Sequence, residues 1–200
     1  MMRVVFDVGN VLIAWAPHLA FAHRYPDRAA AEAWMARVGF HAWNYAQDGG
    51  RTLAEGLAVA RAEHGALADP LADYVARFDE TIRTPIAGSW ALIEALRARG
   101  APVYAITNFG AETWPAALAR YPAFGTHFAD IVVSGHERIL KPDPAIYRLL
   151  LDRNGLAAGD CLFVDDVAAN VEGARAVGMA AHHFTGPEAL AAELTARGIL

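Results

Sequence analysis

Five side chains stand where chemistry is possible: Asp7, Thr107, Lys141, Asp165 and Asp166. Asp7 ends the apolar run Val4-Val5-Phe6, and Gly9-Asn10 follows it, where the backbone can turn and approach a ligand closely. Thr107-Asn108 closes a second apolar run, Val103-Tyr104-Ala105-Ile106, and Asp165-Asp166 closes a third, Cys161-Leu162-Phe163-Val164. Lys141 is the single lysine among 17 Lys and Arg residues. In so arginine-rich a chain it suggests a site that wants a compact point charge and not a planar fork. Three carboxylates packed beside one ammonium would repel one another, so a divalent cation is expected. Oxygen ligands suit a hard ion, which makes Mg²⁺ the expectation. Plainer readings exist: Asp7 and Thr107-Asn108 as turn formers, Asp165-Asp166 as a helix N-cap.

The elements around these residues give the spacing meaning. The sequence predicts strands near 4–6, 103–106, 128–133, 161–164 and 180–184. Helices are predicted over 88–99, 111–121, 142–154, 168–177 and 187–197, with Gly100 and Gly178 as stops and Pro144 in a first turn. Alternating strands and helices imply a parallel, doubly wound α/β sheet with right-handed crossovers. In such a sheet ligands bind outside the carboxyl ends of the strands. Asp7, Thr107, Lys141 and Asp165-Asp166 all follow strands. Between residues 17 and 82 no strand signal appears. Helices are expected near 17–24, 28–38, 40–48, 51–64 and 69–82, as an inserted all-helical subdomain. The expected division is 1–14 with 83–200 as the α/β core, and 15–82 as the insert.

Taken together, the chain resembles the haloacid dehalogenase-like hydrolases. The residues that carry the resemblance are Phe6-Asp7-Val8-Gly9-Asn10-Val11, Ile106-Thr107-Asn108, Lys141-Pro142-Asp143-Pro144, and Phe163-Val164-Asp165-Asp166 with Asn170 and Gly178-Met179. Their order and spacing fit over nearly the whole chain, and the insert falls where that family carries a helical cap. The resemblance implies Asp7 as a covalent nucleophile that takes up a phosphoryl group, with Thr107 and Asn108 holding its oxygens. It implies Lys141 as the group that keeps Asp7 ionised and offsets charge in the transition state. Mg²⁺ would be held by Asp7, the Gly9 carbonyl and Asp166, with Asp165 and Asn170 supporting from behind.

One departure matters. The family's phosphatases usually carry a second aspartate two residues after the nucleophile, which protonates the leaving oxygen. Here that position is Gly9. The favoured expectation is a phosphatase of small monoesters that uses another acid, bound water, or a leaving group needing little help, such as an anomeric sugar phosphate. A metal-independent 2-haloacid dehalogenase needs no such acid, although the Asp165-Asp166 pair argues against it. A catalytically weak binder of a phosphorylated ligand is the third reading. The insert offers candidates for the missing acid in Asp48 and His41. Asn44, Gln47 and Asp48 would share a helix face, and Asn44 and Asp48 are expected to meet substrate; the plainer reading is a solvated helix end.

Composition bounds the rest. With 200 residues, 55% hydrophobic and 20% charged, the chain can bury a core. A net charge of −5 argues against nucleic acid as a partner. No run of 18 apolar residues occurs, so no spanning helix is expected. Asp7 interrupts the first apolar run, so no secretory leader is expected. Cys161 is the single cysteine and reads as a buried hydrophobe, in keeping with a cytoplasmic setting. His182-His183 would point to opposite sheet faces and serve structure. The expected partner is a small phosphorylated molecule.

Overall fold

The computed structural model describes residues 2–200. Its strands are β1 (Arg3–Phe6), β2 (Ile13–Ala14), β3 (Thr84–Pro85), β4 (Val103–Thr107), β5 (Asp130–Val133), β6 (Cys161–Asp165) and β7 (Ala180–His183). Five of them form one sheet in the order β5-β4-β1-β6-β7, every pair parallel. All of β4 and β6 is buried, as expected of apolar runs covered on both faces. Alternation along β1 sends Val4 and Phe6 into one core and Val5 into the other, with Tyr104, Ile106 and Phe163.

β1 lies between β4 and β6, with Phe6 level with both Ala105 and Val164. That register sets the carboxyl ends of the three central strands side by side. Asp7 continues β1 by one residue, its N–H donating to the Val164 carbonyl at 2.8 Å. Helices Ala87–Ala98, Trp114–Arg120, Pro144–Asn154 and Ala168–Ala176 cross between the strands.

The insert is helical, as expected. Asp27 caps helix Arg28–Arg37 by accepting from the Ala30 N–H, and Thr52 with Glu55 forms a reciprocal capping box on Leu53–His64. Phe21, Trp34, Phe40 and Tyr74 pack edge to face in its centre.

Several boundaries differ from the sequence expectation. The helix expected over 69–82 is a 3₁₀ segment Gly65–Leu71 containing Pro70, then short helices Ala72–Ala76 and Phe78–Thr81 broken at Arg77. The stretch expected as helix 17–24 is a 3₁₀ turn, Pro17–Phe21. The third large-sheet strand starts at Asp130, because Phe128 packs with Trp90 and Phe124. The helix expected from 111 starts at Trp114, with Pro115 in its first turn. β2 and β3 were not expected. They pair antiparallel, Ile13 with Pro85 and Ala14 with Thr84, so the two passes between sheet and insert run together. Among the described residues no helix is long and apolar enough to cross a membrane.

Candidate functional site

The strand ends bring Asp7, Lys141 and Asp165 into direct contact. Lys141 Nζ lies 2.7 Å from Asp7 Oδ1 and 2.7 Å from Asp165 Oδ2. The ammonium is 1% exposed and sits 5.5 Å from the centre of the Phe163 ring. Burial alone would lower the lysine's pKa, but the Asp7 and Asp165 charges outweigh it and hold the pKa above its ordinary value. Burial pushes Asp7 up to about 7 against the pull of Lys141, and Asp165 and Asp166 add to the rise.

Donor bookkeeping separates the three aspartates. Asp165 is saturated: besides Lys141, it accepts from the Val167 N–H at 2.8 Å and from Asn170 Nδ2 at 3.0 and 3.1 Å. It can orient Lys141 but has little capacity left for a ligand. Asp7 Oδ1 accepts from the Val8 N–H and from Lys141, while Oδ2 has no protein donor among the described residues. Asp166 is half-buried, and its carboxyl is raised by burial first and by the charge of Asp165 second. One carboxylate oxygen from each of Asp7, Asp165 and Asp166 lies within 4.8 Å of the others. The Gly9 carbonyl accepts no backbone hydrogen bond, since the turn there is closed by Asn10 N–H to Ile13 O and Ile13 N–H to Val8 O. The crowded carboxylates of Asp7 and Asp166, both raised, together with the spare Gly9 carbonyl are a donor set a hard divalent cation fits.

The second expected motif divides its labour. The Thr107 side chain is buried, and among the described residues its Oγ1 has no hydrogen-bond partner. Asn108 was expected to bind substrate. Its amide is instead engaged with Lys141: Oδ1 accepts from the Lys141 N–H at 2.8 Å and Nδ2 donates to the Lys141 carbonyl at 3.1 Å.

Above this edge lies a cavity of about 400 Å³ that Asp7, Gly9, Asn108, Lys141, Asp166 and Asn170 help line. Helix Phe40–Asp48 supplies Asn44, Tyr45 and Asp48 to its wall. Asn44 Nδ2 donates to Asp48 Oδ2 at 2.9 Å. Burial pushes Asp48 up to about 7, the Gly110 N–H pulls it down, and the Asp7 charge raises it further. A carboxyl with that pKa is half protonated at neutral pH and can give or take a proton. Gln47 was expected on the same face, but it turns away to accept from Arg51 and donate to the Trp43 carbonyl. His41 packs against Trp15 and Phe40 and lines a separate cleft with Pro17 and Arg28. It is removed as a candidate acid at this cavity.

Three contributors escaped the sequence. Ser134 Oγ donates to the Asp48 carbonyl at 2.6 Å and accepts from the Phe109 N–H at 2.9 Å, tying insert to sheet. Its position just after β5 was the available signal. Tyr45 Oη donates to the Lys141 carbonyl at 3.3 Å. Tyr74 Oη accepts from Trp15 Nε1 at 3.2 Å within the cavity wall. The Ser134–Asp48, Tyr45–Lys141 and Trp15–Tyr74 contacts each span more than 50 residues of chain. His183, expected to be structural, sets Nε2 2.9 Å from the Asp166 carbonyl.

Residues 1–178 match the family described as haloacid dehalogenase-like hydrolase. The sesquiterpene phosphatase astK of Aspergillus oryzae is 27% identical over 192 residues, covering 95% of this chain and 93% of that protein. The wild-type HAD family enzyme BT-2542 of Bacteroides thetaiotaomicron, solved with magnesium and inorganic phosphate, superposes with TM-score 0.70 at 18% identity, over 93% of this chain and 95% of the other. The L-2-haloacid dehalogenase of Xanthobacter autotrophicus, with chloropropionic acid covalently bound, superposes with TM-score 0.64 at 21% identity, over 100% and 84%. At those identities the two structures share the fold with this chain.

Proposed function

The chain belongs to the haloacid dehalogenase-like hydrolases, and on that premise we propose that it is a Mg²⁺-dependent phosphatase of small phosphate monoesters with Asp7 as its nucleophile. The observation that carries this reading is the state of Asp7: Oδ1 is paired with the buried Lys141, and Oδ2 has no protein donor at a cavity shared with Asp166. Residues 1–14 and 83–200 act as the core and 15–82 as a cap over it. Cys161 is buried with its thiol pushed up to about 11, which fits an inert residue in a reducing cytoplasm.

Asp7 attacks phosphorus, the bond from phosphorus to the leaving oxygen breaks, and its electron pair stays on that oxygen. Asp48, protonated, gives the leaving oxygen its proton, in place of the acid that Gly9 lacks. The resulting Asp48 carboxylate then takes a proton from water. The hydroxide attacks phosphorus, releases inorganic phosphate and restores Asp7. Thr107 Oγ1 donates to a phosphoryl oxygen, and Lys141 offsets the charge that gathers there. Mg²⁺, held by Asp7, the Gly9 carbonyl and Asp166, would supply further positive charge to the phosphoryl oxygens.

The test is release of phosphate from a panel of monoesters with and without Mg²⁺, for the native chain and for Asp7→Asn. Mg²⁺-dependent release lost in the variant supports the reading. Halide release from 2-haloacids without Mg²⁺ would establish the dehalogenase instead, and tight phosphate binding without turnover would establish the weak binder.

A further inference from the structure

We infer that the cavity holds the leaving group of the substrate and that this group is an apolar alcohol, making the substrates phosphate monoesters of alkyl, alkenyl or aryl alcohols. The inference rests on the phosphatase reading above and adds the substrate class to it.

The wall carries the argument. Beyond the phosphoryl edge the cavity is lined by Ile13, Trp15, Tyr74, Phe78, Ile82 and Phe109. Several polar groups beside them are already engaged in pairs. Trp15 Nε1 donates to Tyr74 Oη at 3.2 Å, Thr113 Oγ1 to the Gly110 carbonyl at 3.1 Å, and Asn44 Nδ2 to Asp48 at 2.9 Å. That leaves Asn44 Oδ1, the Tyr74 hydroxyl hydrogen and the Asp48 carboxyl, the last of which the leaving oxygen itself requires. A sugar carries more hydroxyls than these few groups can meet and would set the rest against hydrocarbon. Each stranded hydroxyl costs roughly five- to 150-fold in affinity.

The mouth repeats the pattern. Tyr45 and Val167 are 48% and 47% exposed, two of the four large hydrophobic residues left exposed among those described, and both line this cavity. Exposed apolar side chains that converge on one concave site mark an apolar ligand. The cavity equals about thirteen water volumes at ~30 Å³ each. It therefore has room for a phosphoryl group and a medium-length hydrocarbon. The anomeric sugar phosphate suggested by the missing acid gives way to a hydrophobic ester. An alkyl or alkenyl alcohol is a poor leaving group, which suits an acid at Asp48.

The test is a homologous series. With Mg²⁺, kcat/KM is measured for n-propyl, n-hexyl and n-octyl phosphate and for glucose 1-phosphate and glucose 6-phosphate. In parallel, the affinities of propylphosphonate and octylphosphonate for the native chain are measured by calorimetry. Expected is a rise of about four-fold per methylene until the cavity fills, with octyl phosphate at least fifty-fold ahead of either glucose ester. Octylphosphonate should bind tighter than propylphosphonate, with a negative heat-capacity change. Tyr45→Ser should cut the octyl-to-propyl ratio by about five-fold or more. Turnover with a flat chain-length series, or with glucose esters ahead, overturns the inference and leaves the phosphatase reading standing. A chain-length slope in phosphonate binding without turnover of any ester supports the apolar pocket and removes the phosphatase reading. Equal affinity for the two phosphonates, or an unchanged ratio in Tyr45→Ser, overturns the inference.

Discussion

The Asn108 side-chain amide grips the Lys141 backbone at both ends, accepting from its N–H at 2.8 Å and donating to its carbonyl at 3.1 Å. The residue after β4 thereby fixes where the one ammonium of the chain can stand. Lys141 comes from a loop with no strand to hold it, yet Nζ meets two carboxylates at 2.7 Å each. The amide therefore works as a positioning group for Lys141.

Asn108→Ala should lower kcat/KM by about ten- to a hundred-fold, the scale of a misplacement near 1 Å, with a smaller change in KM. Asn108→Asp should do no better, because a carboxylate cannot donate to the Lys141 carbonyl. Lys141→Arg should be at least as damaging, since a planar fork cannot replace a point charge between Asp7 and Asp165. Steady-state kinetics on one good substrate decides each case. Native-like rates in Asn108→Ala would show that the loop holds Lys141 without help.

Asp166 should govern metal binding. At saturating Mg²⁺, about 100 times Kd, the native chain gains ~2.7 kcal/mol, which for a chain of this size is roughly 5–10 °C in Tm. Asp166→Asn should lose that shift. Without Mg²⁺ the variant should be as stable as the native chain or more so, because it removes repulsion with Asp165. Differential scanning calorimetry with and without Mg²⁺ measures both. A full Mg²⁺ shift in the variant would exclude Asp166 as a ligand.

How much of this could be read from the sequence depends on the range of the contact. β1, β4 and β6 were readable because buried parallel strands are continuous apolar runs, and their ends named Asp7, Thr107 and Asp165. The insert was readable as helical, yet its last third was not. Pro70 and the break at Arg77 turn one expected helix into three short pieces, and tertiary packing of Tyr74 and Phe78 decides their shape. The contact of Asn108 with Lys141 was not foreseen, since no spacing rule links residues 33 positions apart. Gly173 shows the same limit: a Cβ there would lie 2.7 Å from the Pro142 carbonyl, so its lack of a side chain serves an approach invisible along the chain. Apolar content was plain in the sequence, but which apolar residues face a ligand was not.

Gly9 has room for the acid the family's phosphatases usually carry. A Cβ built on it meets nothing within 4 Å, and the position lines the cavity. Gly9→Asp should therefore fold with Tm within a few degrees of the native chain. If Asp48 already supplies the proton, the added carboxyl should change kcat on alkyl phosphates by less than about five-fold. In an Asp48→Asn background it should restore at least ten-fold, within the range of a general acid. No restoration would mean that the new carboxyl does not reach the leaving oxygen, or that Asp48 has another task.

Asp48 gives the sharpest pH signature. Its carboxyl stands at about 7 against an ordinary 3.8, because burial and then the Asp7 charge disfavour ionisation more than the Gly110 N–H favours it. A raised acid contributes stability that is complete below its unfolded pKa and is lost as pH rises through the folded value. The native chain should therefore lose stability between about pH 4 and 7 from this group. A shift of about three units corresponds to at most ~4 kcal/mol at 1.36 per unit. Asp48→Asn should accordingly raise Tm at pH 8 and leave it nearly unchanged at pH 4. The same group should shape catalysis. On alkyl phosphates, native kcat/KM should fall above about pH 7, as Asp48 loses its proton. Asp48→Asn should lower the rate by ~10²–10⁴ and flatten that limb. The titratable groups facing Asp48 are Asp7 across the cavity and Tyr74 from helix Ala72–Ala76. A good leaving group distinguishes their contributions. On 4-nitrophenyl phosphate the variant should stay within about ten-fold of native, and any limb that persists there belongs to another group. An unchanged basic limb on alkyl phosphates in Asp48→Asn would remove Asp48 as the acid.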